Sequence, residues 1–248
     1  MNSNKLLGIT IFPETKSTVL EKILLYIDKP TSFFHIVSLN PENMVITTEN
    51  KSFKKVIQTA QIKITDGVGI VLAGRWLGIK VGERMTGVEL MENLLKVASD
   101  RRLRVLMIGG KENLALRLSQ CYSKKFSEAK FKGVQGIEDI KNPTEDEEAK
   151  IFSIVADYKP HLVFVTFGSP DQELWIERHK KKLSNCVVMG VGGAFDYLSG
   201  EINRAPVFIQ KIGLEWLFRL VNQPWRWKRQ KRLLKFIRLI ICQKWNKT

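Results

Sequence analysis

The sequence predicts an α/β protein, in which a mostly parallel, Rossmann-like sheet has helices on both faces. Short apolar segments rich in β-branched residues alternate along the chain with longer segments of helical periodicity. The apolar segments are nearly continuous rather than alternating, which is typical of parallel strands buried on both faces. The chain has 248 residues, of which 44% are hydrophobic, and this is enough for one such domain with an appendage.

The first hundred residues show apolar strands separated by helical patterns. Thr18 and Glu21 are spaced as a capping box near the start of one helix, and Thr86 and Glu89 repeat this spacing at another. In chain order, the predicted elements are a strand at 6–12, a helix at 18–28, a strand at 33–40, helical segments between 41 and 61, a strand at 62–66 and a helix at 86–101.

The next hundred residues continue the alternation. Acidic residues at 145–147 follow Pro143 at the start of one helix, where the helix dipole favours negative charge. Pro170 lies near the start of another helix, as prolines often do. In chain order, the predicted elements are a strand at 103–110, a helix at 111–125, a weaker strand at 131–136, a helix at 143–159, a strand at 161–168, a helix at 169–183 and a strand at 186–193.

The composition indicates a reducing compartment. Cys121, Cys186 and Cys242 are odd in number and far apart, which argues against a disulfide framework and a metal-binding spacing. No apolar run reaches the roughly 18 residues of a membrane span, and the N-terminal segment resembles a strand more than a signal peptide. We therefore expect a cytoplasmic protein.

The positive charge is concentrated at the C-terminal end of the chain. The formal net charge is +15, and residues 204–248 hold twelve Lys or Arg residues and one acid, Glu215. This segment therefore carries +11 of the total, and the preceding residues are nearly balanced. Such an asymmetry predicts an anionic partner for the C-terminal segment.

Polar and Gly-rich segments follow most of the predicted strands. In an α/β sheet, ligands bind beyond the C-terminal ends of the strands, so these segments predict one shared site. The segments are "LNPEN", "TDGVG", "IGGKEN", "FGSPDQ" and "GVGGAFD".

Two charged side chains in these regions are candidates for chemistry. Asp66 ends a strand and precedes Gly67, so it is either a helix N-cap or an exposed general base. Arg84 stands just before a helix in "GERMTG", where it is either an ordinary surface arginine or a ligand for phosphate or carboxylate.

The Gly-rich loops and a neighbouring amide are candidates for substrate binding. Gly109 and Gly192 would let the backbone approach a ligand, although close helix–strand packing explains such glycines equally well. Neither loop has the dinucleotide-binding or P-loop pattern. Gln172 lies in a first helical turn, where an amide either contacts a substrate or is an ordinary polar residue.

The sequence predicts no metal site and no cofactor. His35, His161 and His179 are scattered and are interpreted as structural. No ligand spacing typical of zinc occurs, and the acids at 145–147 are interpreted as complementing a helix dipole.

The segment 223–245 has the pattern of an amphipathic basic helix. Projected at 100° per residue, its cationic and apolar side chains separate into two faces, with Leu239 and Arg229 as exceptions. A membrane interface suits this pattern, although the apolar face could also pack on the body of the protein. Nucleic acid is a weaker alternative, because bulky aliphatic residues occupy the helix face opposite the basic residues. A third alternative is a non-catalytic scaffold. The cationic face comprises Lys228, Lys231, Arg232, Lys235 and Arg238, and the apolar face Leu233, Leu234, Ile237, Ile240, Ile241 and Trp245.

Six ordered motifs over about residues 33–220 resemble the WecG/TagA/CpsF glycosyltransferases of bacterial envelope polymer synthesis. They are "LNPEN", "TDGVGIVLAGRWLG", "GERMTG", "FGSPDQELWI", "GVGGAFDYLSGEINRAP" and "GLEWLFRL". The resemblance implies inverting transfer of a sugar such as N-acetylmannosamine from a UDP-sugar to an undecaprenyl-diphosphate-linked sugar, in polysaccharide or teichoic acid synthesis.

The resemblance also assigns roles to individual residues. Asp66 matches the family's proposed catalytic base. Arg84 and Gln172 match an arginine and a glutamine of the family's motifs. With them, the predicted substrate-binding positions are Asn40, Gly109, Gly192, Asp196 and Arg204, which lie in or after the strand-end segments. The resemblance implies that Arg219, Arg226 and Arg229 contact the lipid diphosphate, and the helical projection adds Lys228, Lys231 and Arg232 as cations that face the lipid or the membrane. Some members have T-P-N where this chain has Leu39-Asn40-Pro41, so Ser38 or Asn40 would replace a threonine contact.

Together these observations predict a catalytic domain over 1–203 and a basic, membrane-associating appendage over 204–248. The partners expected are a UDP-sugar, a polyprenyl-diphosphate-linked acceptor and an anionic membrane surface, with no nucleic acid. The enzyme would be peripheral on the cytoplasmic face of the membrane. A homo-oligomer through Trp216, Leu217 and Leu220 is a further expectation.

Overall fold

The computed structural model describes residues 4–224 and 227–245, and only the backbone at 211, 228 and 229. Within these residues the chain forms a six-stranded sheet, a two-stranded hairpin and twelve α-helices. The strands are β1 (Lys5–Leu6), β2 (Ile9–Thr10), β3 (Phe34–Leu39), β4 (Ile62–Thr65), β5 (Arg104–Gly109), β6 (Lys130–Val134), β7 (Leu162–Thr166) and β8 (Val187–Gly190).

The helices alternate with the strands of the sheet and then follow one another at the C-terminal end. They are α1 (Lys16–Asp28), α2 (Pro41–Glu49), α3 (Lys51–Thr59), α4 (Val68–Leu77), α5 (Gly87–Asp100), α6 (Leu114–Lys125), α7 (Glu145–Tyr158), α8 (Asp171–Arg178), α9 (Ala194–Leu198), α10 (Val207–Lys211), α11 (Glu215–Asn222) and α12 (Trp227–Trp245).

The six-stranded sheet is parallel and has the order β4-β3-β8-β7-β5-β6. Neighbouring residues of one strand face opposite sides: Met107 packs with α1, α5, α6 and α9, whereas Leu106 and Ile108 pack with α7 and α8. On that second side, α2, α3, α4, α12 and the hairpin cover the β3–β4 end. The predicted α/β class, with helices on both faces of a parallel sheet, is confirmed.

The single strand predicted at 6–12 is wrong. The chain reverses at Leu7 and Gly8, which both have positive φ, and β1 and β2 pair as an antiparallel hairpin. A two-residue turn of this kind follows the twist of the strands and favours glycine. The hairpin buries Leu6 and Ile9 beside the β3–β4 end of the sheet.

Several predicted helix starts are displaced. Helix α1 begins earlier than predicted because Thr15, rather than Thr18, caps it. Helix α6 begins only at Leu114, after a 3₁₀ turn in which Asn113 is left-handed. Pro170 follows a cis peptide bond and precedes α8 instead of lying inside it.

The predicted C-terminal helix exists as α12, and part of its apolar face packs on the body of the protein. Phe236 and Ile240 are each 3% exposed and join the hydrophobic cluster that contains Met44 of α2. Leu239, an exception in the helical projection, also packs against this cluster. Among the residues described, no helix combines the length and apolar character needed to cross a membrane.

Ion pairs strengthen this contact from the cationic side of α12. Arg232 lies 2.5 Å from the Glu42 carboxylate, and Lys235 lies 2.5 Å from that of Glu49. Two of the predicted membrane-facing cations therefore interact with the acids of α2.

Candidate active site

A cavity of about 800 Å³ opens at the C-terminal ends of β3, β4 and β8. This volume is within the range of small-molecule sites. Its floor carries polar side chains, helices α4 and α12 supply an apolar wall, and α11 contributes both charged and apolar side chains. The polar side chains of the lining are Ser38, Asn40, Glu42, Asn43, Asp66, Arg84, Thr86, Ser169, Gln172, Glu173, Tyr197, Glu215, Arg219 and Gln230.

Asp66 lies on the floor of this cavity, directly after β4. Its backbone N–H donates to the Leu39 carbonyl at 2.9 Å, which fixes the end of β4 against β3. Gly67 follows with a φ of 99°, so the chain turns sharply and the carboxylate is left at the strand end. The Gly87 N–H, at the start of α5, donates to Oδ2 at 3.4 Å.

The environment raises the pKa of Asp66 to about 6. Burial is the largest cause, because a charged carboxylate loses hydration in the cavity floor. The hydrogen bond from Gly87 acts in the opposite direction, as do the charges of Arg84 and Arg204, whereas the Glu215 carboxylate raises the pKa further. A carboxyl group with a pKa just below neutral is well matched to accept a proton at pH 7.

Arg84 reaches the cavity because its segment pairs with the end of β4. The Met85 N–H donates to the Thr65 carbonyl at 2.9 Å, and Nη2 of Arg84 donates to the Gln210 carbonyl at 2.7 Å. The guanidinium thus connects the floor of the cavity with helix α10.

Arg204 does not line the cavity but supports a residue that does. Its guanidinium lies 3.2 Å from both Glu215 and Glu92 and donates to the Thr86 hydroxyl at 3.4 Å. It therefore holds the Glu215 carboxylate in the wall near Asp66.

Arg219 lines the cavity from α11. Nη2 lies 3.5 Å from the Asp196 carboxylate, and the guanidinium stacks over the Tyr197 ring at 4.7 Å. A Cβ at Gly193 would lie 2.5 Å from the same Nη2, so the glycine permits this close approach. Asp196 stands behind Arg219 and orients it, and does not itself line the cavity.

Gln172 is buried and joins two strand-end loops. Its Oε1 accepts from the N–H groups of Gly168 and Gly192, both at 3.1 Å. Its Nε2 donates to Ser169 at 3.3 Å and to Glu173 at 2.8 Å. The amide thus uses its donors and acceptors within the protein, although the residue lines the cavity.

Of the remaining predicted binding positions, some line the cavity and one does not. Asn40 lines the cavity, and its Oδ1 caps α2 by accepting from the Asn43 N–H at 2.8 Å. Ser38 and Gly192 also line it. Gly109 does not, and a Cβ there would lie 3.0 Å from the Phe167 ring, so this glycine serves close packing.

The predicted lipid-facing cations of α12 lie outside the cavity lining or outside the described residues. The Lys231 amine lies 5.0 Å from the centre of the Trp227 ring, and Arg232 pairs with Glu42. Arg226, and the side chains of Lys228 and Arg229, lie outside the described residues.

Sequence reasoning missed the cavity roles of Glu215, Leu72 and Trp76. Glu215 was visible as the lone acid of a basic segment, which is a signal that a specific partner holds it. Leu72 and Trp76 had no such signal, because apolar residues in a helix are usually core. Over residues 4–224 and 227–245, no group of three or more His, Cys, Asp or Glu side chains could hold a metal ion.

Comparison with known proteins identifies relatives over nearly the whole chain. The family model described as "Glycosyl transferase WecG/TagA/CpsF family" matches residues 4–248. One relative, from Bacillus subtilis strain 168, is 27% identical over 212 residues, which cover 86% of this chain and 80% of the relative. Another, from Staphylococcus aureus strain MW2, is 29% identical over 229 residues, which cover 92% of this chain and 87% of the relative. Both are named N-acetylglucosaminyldiphosphoundecaprenol N-acetyl-beta-D-mannosaminyltransferase.

Proposed function

Because the chain belongs to the WecG/TagA/CpsF family of glycosyltransferases, we propose that it transfers N-acetylmannosamine or a related sugar from a UDP-sugar to an undecaprenyl-diphosphate-linked sugar. The product would enter cell-envelope polysaccharide or teichoic acid synthesis. The observation that carries this proposal is the carboxylate of Asp66, set at a strand end in a large cavity with its pKa raised to about 6.

In the proposed reaction, Asp66 is the general base. Its carboxylate takes the proton of the acceptor hydroxyl while the hydroxyl oxygen attacks the anomeric carbon of the donor. The new glycosidic bond forms as the bond between the anomeric carbon and the UDP oxygen breaks. UDP leaves with the electron pair, and attack opposite to it inverts the anomeric carbon.

Positive charge in the cavity supports the leaving diphosphate. Arg84 and Arg219 both line the cavity, where their guanidinium groups can bind phosphate oxygens. Interactions of this kind stabilise negative charge that develops on the diphosphate as the bond breaks.

We expect this stabilisation to suffice without an essential metal ion. Transfer should therefore persist in excess EDTA, measured as UDP release with a polyprenyl-diphosphate-linked acceptor. Loss of activity that Mn²⁺ or Mg²⁺ restores would contradict this expectation.

The variant Asp66→Asn tests the catalytic role. It keeps the shape of the side chain and an acceptor for the Gly87 N–H, but it cannot take a proton at neutral pH. We expect kcat to fall about 10²- to 10⁴-fold, the usual contribution of a general base. The measurement is UDP release across a panel of UDP-sugars.

A matched control is Asp157→Asn, which makes the same change on the exposed face of α7. It should keep full activity. Normal turnover by Asp66→Asn would show that Asp66 serves only to position α5.

We also propose that the protein works as a peripheral enzyme on the cytoplasmic face of the membrane, with residues 204–248 as the membrane-associating appendage to the catalytic domain. The support is the net charge of +11 in that segment and the exposed apolar side chains of its helices. A homo-oligomer stays a prediction. Its expected contact includes Trp216 and Leu217, which are exposed, although Trp216 and Leu220 both also line the cavity.

A further inference from the structure

The apolar wall of the cavity forms a groove between α4 and α12. Leu72, Trp76 and Ile237 line it, and these large side chains are 56%, 48% and 47% exposed. Exposed apolar side chains gathered around one cavity are a common mark of a binding site for an apolar ligand. The α4–α12 groove is lined by Leu72, Ala73, Trp76, Leu233, Phe236, Ile237 and Ile240.

The groove differs in chemistry from the floor of the cavity. None of the described residues that α4 and α12 contribute to the lining carries a charge, and Gln230 lies among leucine, isoleucine, phenylalanine and tryptophan side chains. Such a surface offers few hydrogen-bond partners for a sugar, a nucleotide or a phosphate. Binding of a hydrocarbon chain would remove this apolar surface from water, which is energetically favourable.

The groove also begins at the reacting carboxylate. Helix α4 starts at Val68, two residues after Asp66, and reaches Trp76 about 12 Å further on at 1.5 Å per residue. The Lys244 amine donates to the Trp76 carbonyl at 3.0 Å, so the C-terminal ends of α4 and α12 lie together. A molecule with a polar head on the floor could thus extend an apolar tail along both helices.

We propose that the α4–α12 groove binds the first isoprene units of the polyprenyl chain of the acceptor, those next to its diphosphate. This proposal rests on the proposed function, since it assumes that the acceptor is a polyprenyl diphosphate. It adds that the enzyme recognises the lipid itself and not only the diphosphate and the sugar.

Because the groove is recessed, its better ligand is a single hydrocarbon chain rather than the surface of a bilayer. Phe236 and Ile240 are buried at the contact of α12 with the body, and Ile237 stands beside them toward α4. Leu234 is 69% exposed and does not line the cavity. The same helix therefore offers an apolar residue inside the groove and one outside it, which makes a matched comparison possible.

The test is equilibrium binding of prenyl diphosphates to the full chain, by calorimetry, below the concentration at which they form micelles. The probes are dimethylallyl diphosphate, with one isoprene unit, and farnesyl diphosphate, with three. We expect the unmodified protein to bind farnesyl diphosphate at least tenfold more tightly. Ile237→Ser and Leu72→Ser should each weaken farnesyl diphosphate binding about tenfold and have a smaller effect on dimethylallyl diphosphate, which places only one isoprene unit in the groove.

Leu234→Ser is the control and should bind both probes as the unmodified protein does. Equal affinity of the unmodified protein for the two probes would overturn the proposal, as would unchanged farnesyl diphosphate binding by both groove variants. If Ile237→Ser and Leu234→Ser instead weaken binding to anionic vesicles alike, with no effect on farnesyl diphosphate, the surface serves the bilayer.

Measurements of prenyl diphosphate binding and of sugar transfer distinguish a failure of this proposal from a failure of the proposed function. Chain-length-dependent binding without transfer from any UDP-sugar would contradict the proposed function and leave the groove assignment in place. Transfer at a rate that is independent of acceptor chain length, together with equal binding of the two probes, would contradict only the groove assignment.

Discussion

The Asp66 carboxylate is charged at neutral pH in a place that disfavours the charge. Its burial and the neighbouring Glu215 raise its pKa to about 6 from an ordinary value of 3.8. Because one pKa unit corresponds to about 1.4 kcal/mol, the charged form costs the folded protein at most about 3 kcal/mol. The protein retains a destabilising group at the place where the proposed reaction needs a base.

This cost predicts opposite effects of pH on activity and on stability. The value of kcat/KM should rise with pH through about 6 and then level off, because only the ionised carboxylate can accept a proton. Between about pH 4 and 6, Asp66 is protonated to a larger extent in the folded state than in the unfolded state. Stability relative to Asp66→Asn should therefore be lowest above about pH 6 and recover as the pH falls below it.

Thermal unfolding of the two proteins between pH 5 and pH 8 checks the stability part. Asp66→Asn should melt several degrees higher at pH 8, and the difference should narrow toward pH 5. A constant difference across this range would mean that Asp66 has an ordinary pKa in the folded protein.

For individual residues, the sequence predicted which side chains lie at the cavity better than it predicted their hydrogen-bond partners. Asp66, Arg84, Asn40 and Gln172 all line the cavity, as the strand-end rule implies. The side-chain partners were not predictable, because Gln172 bonds to Gly192, which is distant in sequence and near only after β7 and β8 pair.

Helix α12 shows how one element can serve two surfaces. Phe236 and Ile240 face the body of the protein, whereas Leu234 faces away from it. Helical periodicity predicted an apolar face of this width. It could not predict which of these residues pack on the body and which stay exposed, since that depends on where α2 and α4 lie. The hairpin at β1 and β2 was missed for a related reason: a Leu-Gly turn inside an apolar run resembles one continuous strand.

The packing of α12 predicts that Phe236→Ala is strongly destabilising. It removes a buried aromatic side chain from a cluster shared with α2 and the hairpin, and we expect a loss of about 3–5 kcal/mol in the free energy of unfolding. Chemical denaturation of the full chain measures this loss. Leu234→Ala, on the exposed side of the helix, should stay within about 0.5 kcal/mol of the unmodified protein.

Equal denaturation midpoints for the two variants would contradict this packing. That result would place α12 outside the cooperative unit formed by the rest of the chain.

At the scale of the whole molecule, the charge asymmetry is partly offset by the fold. Arg232 and Lys235 are paired with Glu42 and Glu49 of α2, so the charge directed to a partner is smaller than the composition suggests. Lys231 and Arg238 lie on exposed positions of the same helix. These two residues are therefore the better probes of membrane attraction.

The double variant Lys231→Glu/Arg238→Glu should lose binding to anionic vesicles. Each cation near the surface contributes about 1 kcal/mol, so we expect the affinity to fall about 30-fold or more in co-sedimentation. Binding to neutral vesicles should be unchanged. This variant is a cleaner test than truncation, because deleting α12 would also remove Phe236 and Ile240 from the core.

The matched control is Lys124→Glu/Lys130→Glu, which changes the net charge equally on α6 and β6, at the other edge of the sheet. It should retain most of the vesicle binding. Equal losses in the two double variants would show that net charge, rather than α12, governs the attraction.

The contact between the first and last elements of the chain has a consequence for synthesis. The Gln243 side chain accepts from the Leu7 N–H at 2.8 Å and donates to the Lys5 carbonyl at 2.9 Å, and Leu6 and Ile9 share a cluster with Phe236 and Ile240. A ribosome makes the β1–β2 hairpin long before α12, so the hairpin must wait for α12 before this layer of the core can close. Helix α12 both supplies a wall of the cavity and closes this layer of the core, so a nascent chain acquires the two together, once α12 has been made.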